Sequence, residues 1–147
     1  MTGRLMAATV ATLALALAAT AGAQDTSVRS GETADGVSVK LKLGEFGNPT
    51  SFTVGKSKVS CNRGGELTTQ KTVYTDFVTS DPGSFKLKTP SKSTDGAFTF
   101  KGLTKATGTS TDETLQNWSG ALSERTKVIK NGEKIDTCRE NTTWTAD

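Results

Sequence analysis

Whatever chemistry this chain performs, it performs without histidine, because none occurs among its 147 residues. Its only thiols are Cys61 and Cys138, and both methionines, Met1 and Met6, lie at the N-terminus. Ser-His-Asp and Cys-His nucleophilic mechanisms are therefore excluded. The imidazole and thioether ligands of the usual zinc and copper sites are missing as well. Carboxylate chemistry remains. Glu45, Glu66, Asp76, Asp112 and Glu113 could supply the acid and base of a glycosidase, which needs two carboxyl groups flanking one bond. Nothing in the sequence selects a pair, and the plainer reading is solvated surface charge. Asp81, or Asp112 with Glu113, could contribute to calcium binding, but the spacing of an EF-hand loop is absent, so no metal ligand and no cofactor are assigned.

Flat apolar rings offer a second kind of site, a stacking platform for sugar faces. Trp118, Tyr74 and Phe46 are the candidates for ligand binding, whereas Trp144 reads as core. Gly55-Lys56-Ser57 looks like the end of a phosphate-binding loop, yet Thr50 stands where that motif needs glycine, so it reads as a hairpin turn.

These residues must be positioned by strands. In residues 138–146, side chains alternate faces, so Cys138, Glu140, Thr142, Trp144 and Ala146 share one. Val59 and Cys61 share a face in the same way, and two inward cysteines point to a bridge between facing sheets. Such a bridge would close a loop worth about 4 kcal/mol, which matters for a chain with few large apolar residues. Two free buried thiols or an intermolecular bridge are the alternatives.

Residues 1–23 read as a secretory signal peptide, with Arg4 ahead of an apolar run and Ala21-Gly-Ala23 as the cleavage site. The protein is accordingly expected outside the cell, with no membrane attachment after cleavage. Residues 24–35 are polar and aperiodic and read as a flexible lead-in. Residues 36–147 form one domain. The formal charge is only +3, of which Arg4 supplies one unit. That sum gives no reason to expect nucleic acid or an anionic membrane as partner.

Within the domain, Val37, Val39, Leu41 and Leu43 alternate with polar residues, followed by Phe52 and Val54 and a hairpin turn into the Cys61 strand. Residues 72–78 have strand character with both faces partly apolar. Phe85 and Leu87 alternate with Lys86 and Lys88 in a short strand, and residues 91–96 read as a polar connection. Phe98 and Phe100 open the next strand, and Trp118, Leu122 and Val128 mark an inward face. Asn131-Gly132 is a hairpin signal. Ile135 and Cys138 disagree in parity, which a β-bulge or bend near Asp136 would reconcile. About nine short strands without helical periodicity predict an all-β, antiparallel β-sandwich of Ig-like or jelly-roll-like type with one disulfide; a closed β-barrel is the alternative.

Phe52-Thr-Val54, the strand around Cys61, Phe98-Thr-Phe-Lys-Gly102, Ala106-Thr-Gly-Thr109 and the ending Cys138-x5-Trp144-Thr-Ala146 together resemble secreted, single-disulfide β-sandwich proteins of high-GC Gram-positive bacteria. That group has no assigned activity, so the resemblance implies a fold and carries over no functional residue. Its members often place a glycine shortly after the second cysteine, where this chain has Glu140-Asn-Thr142. The expectation is a non-enzymatic extracellular binding module whose partner is a polymer or a protein. A secreted hydrolase using paired carboxylates and a loop-based inhibitor are the alternatives.

Overall fold

The structure is a computed structural model that describes residues 27–79 and 83–147, so the segment read as a signal peptide lies outside the described residues. Eleven strands form: Val28–Thr33 (β1), Ser38–Leu43 (β2), Pro49–Val54 (β3), Lys58–Cys61 (β4), Glu66–Thr68 (β5), Thr72–Tyr74 (β6), Phe77–Val78 (β7), Ser84–Asp95 (β8), Phe98–Ser110 (β9), Trp118–Lys130 (β10) and Glu133–Ala146 (β11). All pairings are antiparallel, in the order β6-β3-β2-β1-β11-β10-β9-β8-β7, with β4 on β11 and β5 on β4. The fold is thus all-β as expected. It takes the form of the barrel alternative, one sheet curled until its ends β6 and β7 nearly meet, and not two facing sheets. The break at Thr75 and Asp76 between β6 and β7 explains the ambiguous face of residues 72–78. The chain leaves one edge of the sheet there and joins the other, so Tyr74 and Phe77 both turn toward the core although their parities differ.

The lead-in requires correction. Residues 28–33 are strand β1, paired with β2 on one side and β11 on the other. Only Thr33 of this strand is buried, so it carries no apolar period to read. Its glycine has a reason, because a Cβ at Gly31 would run into the backbone carbonyl of Thr145. The supposed hairpin at residues 55–57 also fails. β3 pairs with β2 and β6, while the chain crosses to lay β4 against β11. The polar residues 91–95 are no loop but the outer half of β8, and the two-residue turn at Gly96-Ala97 follows them.

The core is aromatic. Phe52 of β3 lies 5.6 Å from Phe85 of β8 and 5.0 Å from Trp144 of β11, while Phe85 is 6.2 Å from Trp118. Trp144 is core as expected, within an apolar cluster that does not include Cys138. Gly108 and Gly120 stand opposite one another on β9 and β10 beneath these rings. A Cβ at Gly108 would meet the Phe85 ring, and one at Gly120 would meet Thr107 O and, at 2.8 Å, Trp144 Nε1. The absence of two side chains thus makes room for the largest ones.

The Asn131-Gly132 turn forms as expected, with φ of 49° and 87° at the two residues, and pairs Lys130 with Glu133. Past the turn, Ile129 faces Lys134 but Val128 faces Asp136, so Ile135 is the extra residue of a bulge. The parity conflict is resolved there. From Asp136 onward, the even residues of β11 share a face with the even residues of β10, which puts Cys138, Glu140 and Trp144 inward with Trp118, Leu122 and Glu124.

Candidate functional site

Strands β8 to β11 run 12 to 14 residues, about twice the six of β1 to β3, and so project beyond the barrel wall. The projecting part is closed on one side by β4 and β5. On the other it is open, since β7 pairs with β8 only at Leu87 and Lys86. A trough of about 470 Å³ lies between the free edges of β5 and β8. Its floor is Phe100, Gly102, Thr104, Glu124 and Thr126. Its walls present Thr68, Thr69 and Tyr74 on one side and Thr89, Ser91 and Ser93 on the other.

Hydroxyl groups dominate this surface. The Tyr74 hydroxyl donates to Thr104 Oγ1 at 3.2 Å, deep in the trough. Burial raises the Tyr74 phenol above its ordinary value against the pull of that hydrogen bond, and the nearby Glu124 charge adds to the rise. Thr89 Oγ1 is buried in the opposite wall without a protein partner. Phe100 is half-buried and offers the one aromatic face among the lining residues apart from Tyr74.

Glu124 sits at the closed end of the trough, 8% exposed, and accepts a hydrogen bond from Ser57 Oγ at 3.3 Å. Ser57 is itself clamped to Thr69. Its hydroxyl lies 2.7 Å from Thr69 Oγ1, and the Thr69 amide donates to Ser57 O at 2.8 Å. Directly across β10–β11, Glu140 faces the same way but opens on a separate cavity of about 460 Å³ lined by Asp35, Lys56, Ser57 and Lys58. Burial first and the charge of Glu140 second push the Glu124 carboxyl up. Burial first and Asp35 second do the same to Glu140, whose Oε2 is buried without a partner.

Of the expected ligand-binding rings, Trp118 is corrected outright. It is 1% exposed, donates from Nε1 to Leu115 O at 3.0 Å and can stack on nothing outside the core. Tyr74 is buried as a ring, and only its hydroxyl reaches the trough. Phe46 is 82% exposed at a positive φ of 60° on the β2–β3 connection, beside a different hollow that contains Arg29 and Leu115. The three candidates are not brought together. Among the carboxylates, Asp112 is committed to its own loop, accepting from Thr114 Oγ1, the Gln116 amide and both the amide and Nδ2 of Asn117. Glu66 pairs with Lys58 at 3.3 Å. No group of three or more His, Cys, Asp or Glu converges among the described residues. The pair that does meet, Glu124 and Glu140, was missed, although alternation already placed Glu140 with Cys138 and Trp144. Its partner depended on the bulge.

Cys61 and Cys138 are joined in a disulfide that closes a separation of 77 residues. It links directly opposite residues of the neighbouring strands β4 and β11, not two facing sheets. The loop after it, residues 62–65, is bound down through Asn62 N to Thr137 O, Gly64 N to Cys61 O and Arg63 N to Asp136 Oδ2. Asp81 and most of the segment 80–84 lie outside the described residues.

The fold and trough define a small, single-disulfide antiparallel β-barrel with a polar opening at one end. No family model matches the chain, and neither the curated proteins nor the solved structures include a match. No helix among the described residues is long and apolar enough to cross a membrane.

Proposed function

We propose that the protein is a secreted, non-catalytic binding module that takes a stretch of an extracellular glycan in the trough between β5 and β8. The observation that carries this reading is the lining itself. Hydroxyls of Tyr74, Thr89, Ser91, Thr104 and Thr126 surround one half-buried ring, Phe100, and the Thr89 oxygen has no protein partner. Sugars present hydroxyls along their edges and apolar faces between them, which matches a surface of scattered donor-acceptors around a ring. A trough open along the β8 edge admits a chain and not only a chain end. The disulfide fits an oxidising compartment.

The arrangement of Glu124 and Glu140 also supports a non-catalytic role. A glycosidase places its two carboxyl groups on either side of one bond. Here the two stand side by side on adjacent strands and open on different cavities, with Ser57 between them. The bound-down loop at residues 62–65 likewise does not suit a protruding inhibitory loop.

The test is affinity electrophoresis of the purified, oxidised protein against neutral cell-wall and plant polysaccharides, with Phe100→Ala and Tyr74→Phe alongside. Retardation by at least one polymer, weakened in both variants while near-UV circular dichroism is kept, is the expected result. New reducing ends released by wild type and lost in Glu124→Gln would replace this reading with the hydrolase.

A further inference from the structure

The opposite surface of the trough floor is a grid of cations. In β8 the outward residues include Lys88 and Lys92, in β9 Lys101 and Lys105, in β10 Arg125 and Lys127, and in β11 Arg139, and all of these are exposed. The register lines them up across strands: Lys92 opposite Lys101 and Lys101 opposite Lys127, Lys88 opposite Lys105, and Arg125 opposite Arg139. No outward position of these four strands holds Asp or Glu. The nearest acid along the Arg139 row, Glu66 on β5, is taken up by Lys58.

Like charges directly opposite on a sheet destabilise it, so this pattern opposes folding. Protection of a free edge explains lysines on β8, but β9 and β10 are paired on both sides and need none. The remaining explanation is a partner whose negative charges recur at the spacing of the grid, about 4.8 Å across strands and about 6.8 Å between rows. We propose that the outward face of β8 to β11 is a second binding surface, separate from the trough, for a linear polyanionic glycan. Between the cations stand Thr107, Ser123, Asn141 and Thr143, suited to sugar hydroxyls. The face offers no aromatic ring for stacking bases and only Pro90, Leu103, Ala121 and Ile129 as apolar outward residues, too little to enter a bilayer. A net charge of +3 conceals the grid because most acids lie on the other surfaces and in the loops.

The experiment measures binding of the oxidised protein to dextran sulfate across a sodium chloride series, with neutral dextran, duplex DNA and anionic phosphatidylglycerol vesicles in parallel. Two charge-matched variants are compared: Lys92→Gln/Lys101→Gln/Lys127→Gln on the grid, and Lys40→Gln/Lys42→Gln/Lys56→Gln away from it. The grid variant should lose roughly tenfold or more in affinity, and its log–log salt slope should fall by about 2 to 3, each released contact contributing roughly 0.7 to 0.9 as on nucleic acid. The control variant should keep most of both, and Phe100→Ala should bind dextran sulfate as wild type does. The grid variant should also melt no lower than wild type, since repulsion has been removed. Equal loss in both triple variants, or no binding to dextran sulfate, would overturn the surface. Tighter binding to DNA or to vesicles than to dextran sulfate would overturn the glycan as its occupant.

Discussion

Glu124 and Glu140 stand opposite one another on β10 and β11, both turned to the inside of the barrel, and the bulge at Ile135 is what makes them neighbours. If β11 continued unbulged in the register set by the Asn131-Gly132 turn, Glu124 would stand opposite Arg139. An inward-facing pair of acids, one buried and one half-buried, replaces what would have been an acid beside a base.

That pair sets the sign of the pH dependence. Both carboxyls are raised above their ordinary value of 4.5, Glu124 by burial and Glu140's charge, and Glu140 by burial and Asp35. A carboxyl that holds its proton more tightly in the folded state contributes stability below the unfolded value, and this is lost as pH rises through the folded value. Asp112 acts in the opposite sense. Hydrogen bonds, that of Thr114 foremost, hold it well below its ordinary 3.8, so its contribution is present above 3.8 and lost on acidification. Melting temperature should therefore peak in mild acid and fall from about pH 4.5 toward neutrality. Calorimetry of Glu124→Gln over the same range should show a shallower fall, and identical slopes would show that burial does not hold the proton.

Reduction of Cys61–Cys138 should act first on one wall of the trough. The ladder between the branch β4–β5 and β11 is two residues long, Cys61 with Cys138 and Ser60 with Arg139, supplemented by bonds from Asn62 N to Thr137 O and from Arg63 N to Asp136 Oδ2, so the covalent link supplies much of its attachment. The expected loss is about 4 kcal/mol for a loop of this length. In hydrogen exchange the amides of β4 and β5 should lose protection before those of β9 and β10. Simultaneous loss everywhere would show the branch to be part of the global unfolding unit.

The facing glycines allow a packing test. Gly120→Ala directs a methyl group at the Thr107 carbonyl and the Trp144 indole, and backbone cannot yield as a flexible side chain can. We expect a loss of about 1 to 3 kcal/mol by urea denaturation, against little change for exposed Ala121→Ser. A neutral Gly120→Ala would mean that β9 and β10 separate easily at this point.

Phe46 should be dispensable for folding. Its ring is exposed and its φ of 60° lies where side chains other than glycine, asparagine and aspartate are disfavoured. Phe46→Asn should leave stability unchanged or raise it by up to about 1 kcal/mol. A clear loss would reveal packing against Arg29 and Leu115.

Alternation, turn chemistry and residue inventory determined a good deal by themselves. They located the inward residues of β2, placed the Asn131-Gly132 turn, flagged a parity conflict near Asp136 and named the cysteine pair, because each of these is a local property of a few neighbouring residues. β1 escaped because a strand held by ladders on both sides needs no apolar face of its own. The outer half of β8 escaped because both its faces meet water. Alternation says which face a side chain takes but not which strand lies beside it. The pairing of β4 with β11, the closure of one sheet in place of two and the meeting of Glu124 with Glu140 were therefore decided only by tertiary structure. Charge follows the same logic: a sum of +3 carries no position, and only the register of four strands gathers the cations onto one face.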